Sequence, residues 1–598
     1  MSAAPDRRPP AWRRWVLAGL ACLCWALVYV PPTSLVRSQG WDEAMHADLP
    51  AARLALALEG AEGAETPGAW FSVLSGCQQY PFLHPLLLSG AYAAFGLDEG
   101  VGRRTGRAMQ GLGLLALFGL TATLARRLEE TRGRPWPGSR LAPWLALLAG
   151  ALSPLWLAYS GTFFLEAPSA TLWALCLWAW VARGARRGLP QAALDLFAGA
   201  LLAAALFTKF NYGLLLGLGL TLDHASAGIS AWRGRRIGQF LRGSSLLALP
   251  PLAAALWWFL WPWPGDGALG AEHRQALLGF LSGNREVPYT PLARRVWDLS
   301  TFLAPGPGAL ALALVGVLAA LPGTLRAGPR ALWLVALVCA AVLLRHPFHL
   351  DRFLLPAALP WMPLAALGLA RLCGAGAGLR PAARLRPGLL VALLLAALHW
   401  RAPLADRTAA LLGLLRPGDA SAASYVAGLH RERLSLAPAR LLPTAGLERA
   451  AFDGFLDAIA AELAPEERVA FLEINSELSP AALHLGLLAR GGSPARLFHD
   501  AARVRSDGQP EMVVTFEAAD PGWISDQVRA WARGFDVVLS TEPIDWKGRR
   551  GREFLGRYRS ALFETGEWSY RELATIEVAR PNQAPTRVQL FALRRAPR

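Results

Sequence analysis

The chain has 598 residues, of which 54% are hydrophobic and 17% charged, with a formal charge of +16. Soluble chains carry about 25% charged residues, so the composition excludes a single soluble domain, a disordered chain and a disulfide-rich secreted scaffold. Nucleic-acid binding is excluded too. The basic residues, nearly all arginine, lie in short clusters between apolar runs rather than on one face.

In chain order, the first apolar run, Trp15 to Val30, follows Arg7, Arg8, Arg13 and Arg14 and is followed by Pro31-Pro32 with no small-residue cleavage pattern. It reads as a first membrane span with its amino end in the cytoplasm. Residues 34–104 then lie outside. Further spans are expected near 107–125, 141–159, 167–182, 192–207, 210–223, 245–261, 301–321, 331–344, 353–371 and 388–401, eleven in all. The stretch Pro81–Phe95 is short and interrupted by His84-Pro85, which suits a helix lying flat on the membrane. That placement leaves 18 basic residues in cytoplasmic loops against 7 in the opposite ones, the expected positive-inside bias.

Beyond about residue 402 the pattern changes. Val469–Ile474, Met512–Phe516 and Asp536–Ser540 read as buried strands, with helical patterns at 479–490 and 523–534 between them. This spacing predicts a small parallel α/β layer, closed by a hairpin of 574–578 and 587–593. The tail has no cysteine, and the six cysteines elsewhere form no disulfide or zinc pattern.

The charged residues on the outer side carry the functional signal. The first outer loop holds Trp41-Asp42-Glu43-Ala-Met-His46, then Tyr80-Pro-Phe-Leu-His84-Pro85. Glu166 sits in Leu165-Glu-Ala-Pro168 at the outer end of the third span, where a carboxylate among apolar neighbours is costly without a role or a partner. Pro168 also fits an acid in a helix's first turn. Lys209 interrupts Leu206-Phe-Thr-Lys-Phe, and His346, His349 and Arg352 join two later spans.

Taken in order, Asp42-Glu43-Ala-Met-His46, Pro81-Phe-Leu-His-Pro85 ending at Phe95-Gly96, Leu165-Glu166-Ala-Pro168, Thr208-Lys209 and Arg352-Phe-Leu-Leu-Pro356 resemble the bacterial GT-C glycosyltransferases of the family 39 type. The protein O-mannosyltransferases and the aminoarabinose transferases of lipid A are relatives of that type. The resemblance covers residues 10–400. This chain has Glu166 where many relatives have Asp, and Pro-Phe-Leu where Pro-Pro-Leu is usual.

The fold expected is a polytopic α-helical, GT-C-like membrane domain (1–402) with an extracytoplasmic α/β domain (403–598), in the bacterial inner membrane. The resemblance implies transfer of a sugar from a polyprenyl phosphate donor to a hydroxyl of a protein, lipid or glycan, with inversion. It puts Asp42, as general base, Glu43 and Glu166 in the active site. Lys209 and Arg352 would hold the leaving phosphate, and Tyr80, His46, His84, His346 and His349 would bind substrate. A divalent cation on Asp42 and Glu166 is compatible with it. A transporter or flippase would instead place ionisable groups near the bilayer midplane, and a non-catalytic scaffold for envelope glycans would tolerate Asp42→Asn.

Overall fold

The computed structural model describes residues 11–28, 35–37, 49–58, 82–153, 155–156, 159, 165–183, 189–233, 237–260, 296, 307–325, 330–345, 354–374, 446–471, 480–492, 496–498, 529–530, 532–542, 560, 562, 566–578 and 586–595. In chain order its elements begin with α1 (Ala11–Val28), β1 (Leu35–Arg37), α2 (Leu49–Leu58), α3 (Leu83–Phe95), α4 (Glu99–Arg132) and α5 (Ala142–Ala151). Next come α6 (Glu166–Arg183), α7 (Leu189–Thr208), α8 (Phe210–Arg233), α9 (Ile237–Leu260), α10 (Pro307–Thr324) and α11 (Arg330–Arg345). After α12 (Leu354–Ala358) and α13 (Trp361–Gly374) the tail contributes β2 (Gly446–Glu448), α14 (Arg449–Glu462), β3 (Val469–Phe471), α15 (Pro480–Leu488), β4 (Leu497–Phe498), β5 (Val537–Glu542), β6 (Trp568–Val578) and β7 (Thr586–Arg595).

The chain divides into two compact units: Met1–Val30, Gln78–Leu83 and Arg104–Leu436 form one, while Pro31–Cys77, His84–Arg103 and Ala437–Arg598 form the other. Ten of the eleven expected spans fall on helices of the first unit, and the run at 388–401 lies outside the described residues. Among the described residues, four stretches are long and apolar enough to cross a bilayer on length and composition: Gly100–Arg132, Gln191–Thr208, Phe210–Arg233 and Leu354–Gly374. The unit's interior is packed with large rings, Trp136, Trp156 and Trp173, all fully buried. Its outside is apolar as well: on α1, Val16, Leu17, Leu20, Leu23 and Leu27 are exposed. Water would penalise such a face, and acyl chains do not.

In the second unit, a five-stranded sheet has the order β4-β3-β5-β7-β6. The β3–β4 and β3–β5 pairs are parallel, whereas β5–β7 and β6–β7 are antiparallel. The expected parallel layer is therefore a mixed sheet. The closing hairpin, longer at both ends than the alternation indicates, joins it through β7. Phe452, Phe455, Leu456 and Ile459 of α14 pack on the sheet's Val469, Phe471, Val537, Leu539, Val588 and Leu590. The strand expected at 512–516 and most of the helix expected at 523–534 lie outside the described residues.

Most of the segment between α1 and α4, Pro31–Cys77 and His84–Arg103, belongs to this same unit. Its α3 is a 13-residue helix, about 20 Å long at 1.5 Å per residue, too short for a hydrocarbon core of about 30 Å. It buries His84, Leu88, Ser89 and Tyr92 on one side and leaves Leu86 and Leu87 exposed on the other, the distribution expected of a helix lying in an interface. Gly96, at φ +86°, ends it, with its N–H donating to Tyr92 O (2.7 Å). Asp98 then starts α4 by accepting from the Gly100 N–H at 2.7 Å.

Candidate functional site

The site in the first unit is built on α6, α7 and α8. Glu166 opens α6 and Arg183 closes it, which places their charges about 25 Å apart along one apolar helix. Lys209 is the one residue between α7 and α8. Arg183 touches the start of α7, at Asp195 (3.8 Å), and the later part of α8, at His224 Nδ1 (3.3 Å). So α7 and α8 form an antiparallel hairpin beside α6, with Lys209 at its tip.

At that tip the Lys209 Nζ donates to Glu166 Oε1 at 2.7 Å. Glu166 is 1% exposed and Lys209 4%. The ammonium also lies 5.1 Å from the centre of the Tyr212 ring, whose edge meets Trp173. A buried ion pair of this kind is weak evidence for net stability, because both charges have lost their water. Its value lies in placing a cation and a carboxylate, already desolvated, at one end of the bundle. The sequence reading had given Glu166 and Lys209 separate roles, and the structure brings them into direct contact.

A second polar face, not evident from the charge pattern of the sequence, lies on α4. Arg103, Arg107 and Gln110 of α4 are all buried, at i, i+4 and i+7 of one helix face. Gln110 has no hydrogen-bond partner for either amide atom among the described residues. Thr171, five residues into α6 from Glu166, donates to Met109 O at 2.9 Å, so this part of α4 lies against the same end of α6. The spacing Arg-x-x-x-Arg-x-x-Gln near the amino end of a long apolar helix was the available signal.

The opposite end of the hairpin carries a second polar layer that the sequence reading also missed. Besides its contacts to Asp195 and His224, the Arg183 guanidinium stacks 3.5 Å over the Trp180 ring. Trp180 Nε1 donates to Asp223 Oδ2 (3.0 Å), Arg330 pairs with Asp223 (3.7 Å), and His224 Nε2 meets Ser244 Oγ (2.7 Å). The layer thus ties α6, α7, α8, α9 and α11 together.

His84 lies in the second unit, 1% exposed, and neither ring nitrogen has a hydrogen-bond partner among the described residues. Burial pushes its imidazole down from 6.5 to about 4. Between those values the unfolded chain takes up a proton that folded His84 refuses. Its stability contribution is therefore complete above pH 6.5 and falls as the pH drops toward 4. We expect His84→Leu to flatten the loss of melting temperature between pH 7 and pH 5. An unchanged slope would assign that loss to other groups.

Asp42, Glu43, His46, Tyr80, His346, His349 and Arg352 lie outside the described residues. Among the described residues, no group of three or more His, Cys, Asp or Glu side chains comes together to hold a metal ion. Glu166, the described member of the expected pair of metal ligands, already accepts a hydrogen bond from an ammonium. Its expected partner, Asp42, lies outside the described residues.

No family model and no curated protein matches the sequence. Solved structures do. ArnT, the aminoarabinose transferase of Cupriavidus metallidurans, bound to undecaprenyl phosphate, superposes with a TM-score of 0.53 at 17% identity, covering 98% of each chain. Its apo state gives 0.52 at 16%. The arabinofuranosyltransferase AftD from Mycobacteria gives 0.51 at 16%, covering all of this chain but 41% of its own. The chain has the GT-C fold. At these identities the likeness is one of fold, and it extends through the tail, which the sequence resemblance did not reach.

Proposed function

We propose that this GT-C chain is a membrane glycosyltransferase that moves a hexosyl or pentosyl group from a polyprenyl phosphate to an acceptor hydroxyl of a protein, lipid or glycan. The observation that carries this reading is the buried Lys209–Glu166 pair at 2.7 Å, in a chain whose fold matches a transferase bound to undecaprenyl phosphate. In the reaction the acceptor oxygen attacks the anomeric carbon. The hydroxyl proton passes to Asp42 as the new C–O bond forms, and the bond from the anomeric carbon to the phosphate oxygen breaks with its electrons going to the phosphate. The leaving group is a stable anion and needs positive charge, not a proton. Lys209 supplies that charge from a desolvated position, together with Arg352. Glu43 and Glu166 orient the sugar or the acceptor, and Tyr80, His46, His84, His346 and His349 complete the substrate contacts.

The charged residues of α6, Glu166 and Arg183, stand at its two ends. This disfavours a transporter, whose charges belong near the midplane. We place the enzyme in the bacterial inner membrane with its amino end in the cytoplasm and its carboxyl-terminal domain outside. A reporter fused after Arg598 that is active only outside the cytoplasm would support this orientation, and one active only inside would reverse it. The reaction is tested with purified enzyme in liposomes containing undecaprenyl phosphate sugars, by following release of the lipid phosphate. Asp42→Asn should slow transfer by about 10²-fold or more; transfer at the wild-type rate would remove Asp42 as the base.

A further inference from the structure

The end of the first unit opposite Lys209 gathers α1, α4 and α6. The last two run in parallel: Thr171 of α6 bonds Met109 of α4, and further along α6 the Trp178 Nε1 donates to Thr123 Oγ1 at 3.0 Å. Helix α1 runs the other way. Its Cys22 and Ala26 stand beside Gly111 of α4 and its Trp15 beside Gly119, and the Trp15 ring stacks on Trp178 at 5.5 Å. The amino end of α1, with Arg13 and Arg14 in its first turn, therefore comes to the carboxyl end of α4.

Arg127 follows Thr123 by one helical turn, so it lies on the face of α4 turned toward α6, at the level where α6 closes on Arg183. The two guanidiniums are near enough for their charges to oppose each other. Other arginines at this end have acids: Arg183 has Asp195 at 3.8 Å, Arg330 has Asp223 at 3.7 Å, and Arg126 has Glu130 at 3.5 Å. Among the described residues Arg127 has no such partner. It is half-buried, and its Nε and Nη2 are buried without a hydrogen bond. The acid that acts on it, Glu130, is engaged by Arg126 in an exposed pair. An arginine that served only as a topology signal could keep its charge in water. One whose donors are covered and unpaired carries a desolvation cost that a bound anion offsets.

We propose that Arg127 binds the phosphodiester of an anionic phospholipid at this end of the bundle. A guanidinium is planar and forked, and it matches two oxygens of one phosphate. What borders the site favours a lipid over a soluble anion. Trp12 and Trp15 of α1 are exposed rings, as at the level of lipid headgroups. Trp12 also heads an exposed stripe at helical spacing, Val16, Leu20, Leu23 and Leu27, which acyl chains can cover. Arg13 and Arg14 add charge that selects anionic over zwitterionic headgroups. On the proposed topology this is the cytoplasmic leaflet. The site stands about 25 Å from the Glu166–Lys209 pair, and it does not depend on the transferase reading.

The test uses the full chain, purified in detergent, stripped of lipid and given phosphatidylglycerol or phosphatidylcholine with the same acyl chains. Native mass spectrometry reads the lipid each protein retains. The wild type should retain phosphatidylglycerol about fivefold better or more. Arg127→Gln should abolish that preference, while Arg126→Gln, at the exposed neighbouring arginine, should keep it. Equal retention of the two lipids by the wild type, or a preference that survives Arg127→Gln, would overturn the proposal. Glycerol phosphate at millimolar concentration is the arm for a soluble anion. It should leave the lipid in place, and displacement would assign the site to a soluble phosphate instead. Folding is read separately by melting temperature. Without lipid, Arg127→Gln should melt no lower than the wild type, since it removes a buried charge that lacks a partner. Phosphatidylglycerol should then raise the melting temperature of the wild type and not that of the variant. A variant that melts far below the wild type without lipid, or that cannot be purified, would show that Arg127 is held by the protein itself, and the proposal would fall.

Discussion

Lys209→Met is expected to abolish transfer and to destabilise the protein at once. The substitution leaves the Glu166 carboxylate 1% exposed with its 2.7 Å counter-ion gone. Stranding one member of a buried pair costs about 3–5 kcal/mol, a large part of a stability of about 5–15 kcal/mol. Loss of activity alone would therefore prove little. The informative variant is Glu166→Gln/Lys209→Met, which removes both charges and keeps the approximate volumes. Its melting temperature in detergent should return to within a few degrees of the wild type, because replacing both partners of a buried pair is often neutral or better. Its transfer rate should stay near background, since no ammonium remains to meet the leaving phosphate. A double variant that both folds and transfers would reduce the pair to a structural staple and remove Lys209 from the chemistry.

The second large effect concerns the packing that supports the bundle. A Cβ added at Gly368 of α13 would overlap the Gly316 carbonyl oxygen of α10, and one at Gly316 would overlap the Ala365 carbonyl oxygen in return. Two helices therefore cross backbone to backbone, and the obstructing atoms are main chain, which no rotamer change can move. Gly368→Val should cost at least the ~1–3 kcal/mol of ordinary overpacking and should leave no monodisperse peak on size-exclusion chromatography. Gly454→Ala is the control. That glycine lies within α14 with nothing within 4 Å of an added Cβ, so alanine should stabilise the second unit by roughly 0.5–1 kcal/mol. Equal tolerance of both substitutions would contradict the crossing.

What the sequence made legible follows from the range of each interaction. The apolar helices of the first unit were readable because an apolar run is a local property, and so was the hairpin of β6 and β7, whose alternation turns Ile576, Val588, Leu590 and Ala592 inward. The five-residue gap between Glu166 and Thr171 was readable too, but not that Thr171 would bind Met109, 62 positions earlier. Partner choice was the part that stayed hidden. Lys209 is 43 residues from Glu166, Asp223 is 43 from Trp180, and β1 finds β2 more than four hundred residues away. At three residues, β1 and β2 are also too short for any alternation to register. The assignment of the first outer loop to the membrane domain alone had the same cause, since the loop's share in the tail's core is set by packing and not by its neighbours in sequence.

The α7–α8 hairpin has a consequence for how the protein enters its bilayer. On the proposed topology its tip must travel across the hydrocarbon during synthesis, and a bare ammonium at the centre of a helix is disfavoured by about 3 kcal/mol. Glu166 is made 43 residues earlier. By the time Lys209 leaves the ribosome, α6 can already stand in the membrane with its carboxylate at the far side, and the crossing ends in neutralisation. Biogenesis then has a direction: the acid arrives first and the lysine is drawn to it, so a chain lacking Glu166 should accumulate with its hairpin only partly inserted.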